Sequence, residues 1–251
     1  MFAPDIVSLR QFYATPLGGV ASTLIAQSIR RLWPQAKGEV VLGIGFGTQY
    51  LEPYLSEASS VMVCMPAGQG AACWPPEGVN RVFLAHESEL PLQSNSVNRV
   101  LVVHSAEHSE QLSGMMRDIW RILTPGGRVL MVVPNRLSLW SRSSRSPLGY
   151  GRPFSMPQLR DLMEEHQFTL MRSGSALFVP PLRLKLLWRM AAKIEMVCRF
   201  LCLPFGGVLL IEAEKQIYAS IRQPVSTKRY RVPVAAAAGS ARQSAYFTEQ
   251  P

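Results

Sequence analysis

The residues of this chain best suited to chemistry are a histidine–glutamate–histidine group, a glycine pair and a basic, aromatic loop. His104, Glu107 and His108 lie close together along the chain. A neutral imidazole is poised to take a proton near pH 7, so His104 is the candidate base. Glu107 and His108 are read as the beginning of the following loop or helix, with structural hydrogen bonding as their plain role. Gly45 and Gly47 flank Phe46, just ahead of Thr48. Glycines between a strand and a helix let the backbone approach a ligand closely, and the helix N-terminus favours polar or anionic groups. Tyr150 and Arg152 sit in a polar stretch, Asn135–Pro153, that is too long for a mere connector. Such loops carry substrate contacts, which makes Tyr150 a second catalytic candidate. Each feature also has a plain structural reading: a histidine that caps a strand, a glycine that makes a tight turn, a solvated loop.

For these groups to meet, strands and helices must alternate. Leu17, Val20, Leu24, Ile25 and Ile29 recur at helical spacing over Thr15–Leu32, and Pro34 ends that helix. Strands are expected at Glu39–Ile44, Ser60–Met65, Asn80–Ala85, Arg99–Ser105 and Arg128–Val133, and a short helix at Tyr50–Leu55. A further helix over Gln111–Leu123 is stopped by Pro125, and Gly126-Gly127 supply a tight turn. Ser155 with Pro157 starts another helix. Phe168–Val179 and Val208–Ala219 read as two last strands, separated by the apolar, basic stretch Leu182–Leu203. This alternation predicts a doubly wound, mostly parallel α/β sheet. In such sheets ligands bind beyond the carboxyl ends of the strands. Those ends offer Gly45–Thr48, Met65-Pro66, His86-Glu87, His104–His108 and Asn135-Arg136.

Length and composition set outer limits. With 251 residues and 47% hydrophobic content, the chain can bury a sizeable core. A net charge of +9 favours acidic partners, but the arginines are spread over the sequence rather than gathered in one run. Cys64, Cys73, Cys198 and Cys202 form no CxxC pair and no cluster with metal spacing, which predicts no metal site and suits a reducing, cytoplasmic setting. The opening residues contain Asp5 and no apolar core segment, so no secretory signal is read there. Ile194–Ile211 is interrupted by Arg199, Pro204 and Gly206-Gly207 and is not read as a membrane span.

Several strings together resemble class I S-adenosylmethionine-dependent methyltransferases. Val41-Leu42-Gly43-Ile44-Gly45-Phe46-Gly47-Thr48 is similar to the family's first motif and lacks the third glycine of a dinucleotide fingerprint. Glu89-Leu90-Pro91-Leu92, then Ser96 to Val100, resembles the stretch around the third and fourth strands. Arg121-Ile122-Leu123-Thr124-Pro125-Gly126-Gly127 resembles the signature before the fifth. The resemblance covers residues 40–135, and the loop from Pro134 to Ser155 resembles a subgroup of bacterial type 11-like enzymes. It implies a seven-stranded Rossmann-like sheet whose last strand is antiparallel, with a helical insertion before it. It also implies S-adenosylmethionine as cofactor, at Gly43, Gly45, Gly47, Thr48, Met65, Pro66, His86 and Glu87. The sequence departs from the family at its acidic contacts. Gly43 stands where an acid is usual, the second strand ends at Met65-Pro66 rather than at Asp or Glu, and Asn98 replaces an Asp. Two lost charge-assisted bonds of about 1.5–3 kcal/mol each would weaken cofactor binding by roughly 10²–10⁴ unless other groups compensate.

The expected function is methyl transfer to a small-molecule acceptor. The alternative is an inactive methyltransferase-like binding module at a partner or membrane surface. A nucleic-acid substrate ranks last, because no motif for flipped-base amino chemistry is present. The expected organisation is a domain over residues 1–219 with an inserted helix at 182–203, then a flexible basic tail over 220–251. The inserted helix reads as a roof over the substrate pocket; an interfacial helix that gives weak membrane-surface association is the other reading. Oligomeric state is left open by the sequence.

Overall fold

The computed structural model describes residues 4–144, 146–182, 188–201 and 203–216. The chain divides into the units Met1–Ile217 and Tyr218–Pro251. The expected basic tail, and residues 183–187 of the expected insertion, lie outside the described residues.

The sheet forms as the apolar runs require. β1 (Val40–Gly45), β2 (Ser60–Pro66), β3 (Val82–Ala85), β4 (Val97–Val103), β5 (Leu123–Pro134), β6 (Phe168–Ala176) and β7 (Val208–Lys215) make one seven-stranded sheet in the order β3-β2-β1-β4-β5-β7-β6. β7 runs antiparallel to both β5 and β6, while the pairs among β1 to β5 are parallel. The order reverses direction between β1 and β4, which opens a crevice at their carboxyl ends.

Successive residues of each central strand feed two separate cores, as the period of two demands. Val41, Leu101, Val103, Leu130 and Val132 join the cluster under α1 (Ile6–Ala14), α2 (Pro16–Leu32) and α3 (Thr48–Leu51). Leu42, Ile44, Val100, Val102, Met131 and Val133 join the cluster under α4 (Leu112–Ile122) and α5 (Met156–Glu165). Thr15 caps α2 by accepting from the Gly18 N–H at 3.1 Å, and Pro16 occupies the first turn. Ser155 and Gln158 form the capping box of α5.

Two elements differ from the sequence expectation. The Pro125-Gly126-Gly127 turn does not separate helix from strand. Leu123 already pairs with Val97 and Arg128 with Arg99, so the intervening residues are looped out of a continuous β5. Gly126, at φ 74°, makes that excursion possible. The second difference is α1, which the sequence reading leaves without structure. Asp5 caps it through the Ser8 N–H at 2.9 Å, and Ile6, Leu9 and Phe12 are buried. The insertion between β6 and β7 does contain a helix, α6 (Ala191–Phe200).

Candidate functional site

At the carboxyl end of β4 the chain turns through His104, whose φ of 53° is left-handed. A non-glycine residue held there carries strain, and such positions gather at functional sites. His104 is 2% exposed and sits in a hydrogen-bonded line. Its Nδ1 meets Glu107 Oε1 at 3.2 Å, and its Nε2 meets the Tyr13 hydroxyl at 2.6 Å. An ionised Glu107 can only accept, so Nδ1 carries the proton and Nε2 accepts from Tyr13. The Tyr50 hydroxyl in turn donates to that of Tyr13 at 3.4 Å.

The electrostatics agree with this assignment. Burial pushes the Glu107 carboxyl upward, but the hydrogen bond from His104 and the nearness of His104 and His108 outweigh it, leaving it below its usual value. Burial pushes Tyr13 well above the ordinary phenol range, reinforced by Tyr50 and Glu107, so it stays a donor. Burial lowers His108, against the pull of Glu107, so that imidazole stays neutral at pH 7.

Two clefts flank this line. One, of about 440 Å³, is lined by Pro66, Gln69, His86, Glu87, His104 and His108, among others. The other, of about 670 Å³, runs between α1, α2 and the residues after β1 and β2, with Tyr13, Phe46, Thr48, Gln49, Met65 and Trp74 in its wall. The carboxamide of Gln69 stands beside His104. Its Nε2 donates to the His104 carbonyl at 2.9 Å, while its Oε1 is buried without a partner. His108 Nε2 and Ser109 Oγ are likewise buried and unpaired at the smaller cleft. Buried polar atoms left open are costly and point to a ligand or water that completes them.

The sequence candidates thus fall into two sets. Pro66, His86, Glu87 and His104 line the smaller cleft, and Thr48 and Met65 line the larger. The motif glycines do not line either. A Cβ on Gly43 would lie 2.5 Å from the Leu51 side chain, so that position is small to seat α3 against β1. Gly45 has φ 83°, and its Cβ would lie 2.2 Å from the Val103 carbonyl oxygen, so the approach it permits is that of β4. Gly47 is the cap residue just before α3, and its Cβ would meet the Val103 side chain at 3.3 Å. Met65 is 1% exposed and packs in the core under α1 and α2, which limits it to an apolar wall. Tyr150 stands apart: it is 45% exposed, and its hydroxyl donates to the Ser144 carbonyl at 3.0 Å. Asn98 lies at the opposite end of β4, where its Oδ1 accepts from the Val40 N–H at 2.8 Å. That is an edge-stitching role for the residue that replaces the family's acid.

Sequence reasoning missed Tyr13 and Gln69. Tyr13 arrives on α1, stacked on Phe46 with ring centroids 5.9 Å apart. Gln69 lies in the loop after β2 and belongs to no motif. None of the described residues of α6 lines either cleft. Among the described residues no group of three or more His, Cys, Asp or Glu could hold a metal ion.

Comparison with known proteins agrees with the geometry. Residues 40–131 match the methyltransferase domain family. A protein of Mycolicibacterium smegmatis that carries the name probable S-adenosylmethionine-dependent methyltransferase is 26% identical over 143 residues, which cover 55% of each chain. The chain thus spans little more than half the length of that curated relative. Among solved structures, a S-adenosylmethionine-dependent methyltransferase of Thermotoga maritima superposes with a TM-score of 0.59 at 17% identity, over 84% of this chain and 96% of that one. The [4+2]-cyclase SpnF superposes with a TM-score of 0.52 at 16% identity, over 87% of this chain and 98% of that one. At such identities the shared feature is the fold, and a cyclase on the same fold shows that the fold alone does not fix the reaction. The resemblance read from the motifs is borne out over residues 40–131, and the class I methyltransferase fold over the whole sheet.

Proposed function

We propose that this chain binds S-adenosylmethionine at the carboxyl ends of β1 to β4 and transfers its methyl group to a small molecule whose accepting atom must lose a proton. The observation that carries this reading is the Glu107–His104–Tyr13 line, which sets an imidazole Nε2 against the Tyr13 hydroxyl, between the smaller cleft lined by His104 and the larger one lined by Tyr13. The cleft's mixed apolar and polar lining suits an adenosyl group. Glu87 can accept from an amine or from ribose hydroxyls, and the buried, unpaired Oε1 of Gln69, with His108 and Ser109, would join it once those side chains turn toward a ligand. Gln69 would take over from the acid that the second strand lacks. A cleft of about 440 Å³ lies within the range of small-molecule sites.

When bound, the cofactor supplies an electrophilic methyl group. The chain's own work is placement and proton removal. Glu107 keeps the proton of His104 on Nδ1, which leaves Nε2 basic. The Tyr13 phenol now occupies Nε2, so an acceptor must displace it before His104 can take the proton. Stacking of Tyr13 on Phe46 and its edge contact with Phe12 keep the ring in place and shield the line from water. The three described cysteines, Cys64, Cys73 and Cys198, are unpaired, which suits the cytoplasmic setting expected from the sequence.

The alternative, a binding module without catalysis, draws support from the missing acid at Met65 and from the closure of His104 by Tyr13. Titration calorimetry with S-adenosylmethionine and its demethylated product separates the two readings when paired with Gly68→Leu. A Cβ on Gly68 meets nothing within 4 Å, so that variant should fold normally while its side chain enters the smaller cleft. We expect binding by the wild type and at least tenfold weaker binding by the variant. Equal affinities would place the cofactor elsewhere, and no heat from the wild type at millimolar ligand would favour the module.

A further inference from the structure

A third cavity, of about 630 Å³, lies at the opposite end of the sheet, against β6. β6 is an edge strand, and the cavity is bordered by Ser173–Ser175 on it, by Arg31 of α2, by Arg160 of α5 and by Arg199 of α6. Its floor is apolar, with Leu32, Phe178 and Leu210. Three elements therefore bring three guanidinium groups to one place. Five arginines of the fold are paired with carboxylates: Arg30 with Glu57, Arg99 with Glu39, Arg121 with Asp118, Arg128 with Glu214 and Arg172 with Glu212. Among the described residues, Arg31, Arg160 and Arg199 have no carboxylate partner. Arg31 only donates to Ser28 Oγ at 2.7 Å, and Arg199 Nη1 is buried with no partner at all. Like charges gathered around a partly apolar cavity repel unless an anion joins them, and guanidinium groups match phosphate geometry well.

The helix that delivers Arg199 has an unusual outer face. Glu195 fixes its orientation: buried at 1% exposure, it accepts from the N–H groups of Leu177 and Phe178 at 3.0 and 2.9 Å. Lys193, Met196, Val197 and Phe200 fall at i, i+3, i+4 and i+7, on one stripe, and all are exposed, Phe200 at 86%. Leu201 extends the stripe. No acidic side chain lies on this face, since Glu195 is the sole acid of α6 and points inward. An outward apolar stripe that carries a lysine and no acid is the pattern of a helix that lies in a lipid interface. With ten residues, α6 is too short to span a bilayer.

We infer that the β6 edge docks on an anionic phospholipid surface: a headgroup phosphate sits among Arg31, Arg160 and Arg199, and Met196, Val197, Phe200 and Leu201 enter the acyl boundary. Two independent observations converge on this occupant, the unpaired arginines and the apolar stripe on the outer face of the helix that brings one of them, and neither depends on the proposed methyl transfer. A soluble phosphate ester would account for the arginines but leave the stripe uncovered.

The test is co-sedimentation of the full chain with vesicles of phosphatidylcholine alone or mixed equally with phosphatidylglycerol. The expected result is binding to the anionic vesicles at low salt, release at about 0.5 M salt as screening sets in, and no binding to the neutral ones. Arg160→Gln/Arg199→Gln should weaken binding at least tenfold and flatten its salt dependence. Phe200→Ser/Val197→Ser, at exposed positions, should weaken it at every salt concentration. Circular dichroism establishes that each variant is folded, and Lys37→Gln, remote from both features, controls for charge. Absence of wild-type binding to anionic vesicles would overturn the inference. So would binding that both double variants retain, since other basic segments would then carry it. Tight binding of inorganic phosphate without vesicle binding would show a soluble ligand instead, and would also refute it.

Discussion

Removal of a single oxygen tests the line of side chains at the end of β4. In Tyr13→Phe the ring keeps its contacts with Phe12, at 5.1 Å between centroids, and with Phe46, at 5.9 Å. The hydroxyl that donates to His104 Nε2 at 2.6 Å is lost. His104 is 2% exposed, so its Nε2 becomes a buried acceptor without a donor, at a cost of about 1–3 kcal/mol. The Tyr50 hydroxyl loses only a long contact of 3.4 Å, which adds little. Relief from burying the phenol oxygen offsets part of this, and about 1–2 kcal/mol should remain. For a domain of this size that corresponds to a melting temperature about 2–8 °C lower. Urea unfolding should show a lower midpoint at an unchanged slope. The same substitution in a His104→Ala background removes no donor–acceptor pair, so its cost there should fall close to zero. The coupling energy of the cycle should therefore be about 1–2 kcal/mol. An equal cost in both backgrounds, or none in either, would refute the assigned hydrogen bond and with it the argument that Tyr13 guards His104.

Three further outcomes follow from the same geometry. Gly45→Ala forces a side chain into φ 83° and to within 2.2 Å of the Val103 carbonyl, so the protein should lose its cooperative melt whether or not a cofactor is present. Met65→Glu places a carboxylate in the apolar core under α1 and α2; urea unfolding should show a loss of about 3 kcal/mol or more rather than a gain in cofactor affinity. Acidification should weaken the fold in two steps. Burial depresses His108 below its usual 6.5, so the unfolded chain takes up that proton first and stability falls as pH drops below about 6.5. Glu107, held below its usual 4.5, contributes stability that is present above that pH and lost as pH falls through its folded value. His108→Asn should flatten the unfolding free energy between pH 7 and 5, and an unaltered profile would contradict the burial of that imidazole.

The sheet was legible because buried parallel strands are apolar on both faces. Val61–Met65 and Val129–Val133 have no polar residue to mislead, and the structure places both at the centre of the two cores. The Pro125-Gly126-Gly127 turn is legible as local chemistry but is not a boundary between helix and strand. Pairing of Leu123 with Val97 before the turn and of Arg128 with Arg99 after it is a property of two strands far apart in sequence. The first helix is hard to see in the sequence because it is only nine residues long, and its three apolar positions, Ile6, Leu9 and Phe12, are too few for a periodic signal to stand out. With α1 went Tyr13, and hence the partner of the one base the sequence did identify.

The glycines carry a further lesson about what a motif can reveal. Gly43, Gly45 and Gly47 invite the inference that missing side chains make room for a ligand. In this fold the room is already taken by Leu51, by the Val103 carbonyl and by the Val103 side chain. Sequence reports that a Cβ is absent but not what stands in its place, so a chain could retain the motif after losing the cofactor, merely to keep β1, β4 and α3 in register. The residues that discriminate are those the scaffold does not need. His104 sits at an unfavourable φ of 53°. Glu107 is a buried carboxylate with one oxygen unpaired, and Gln69 is a buried amide with its carbonyl unpaired. Each costs folding free energy that an apolar residue would spare, and all three converge on the end of β4. A fold kept only as a scaffold would shed such costs, which is the physical ground for reading this cleft as a working site.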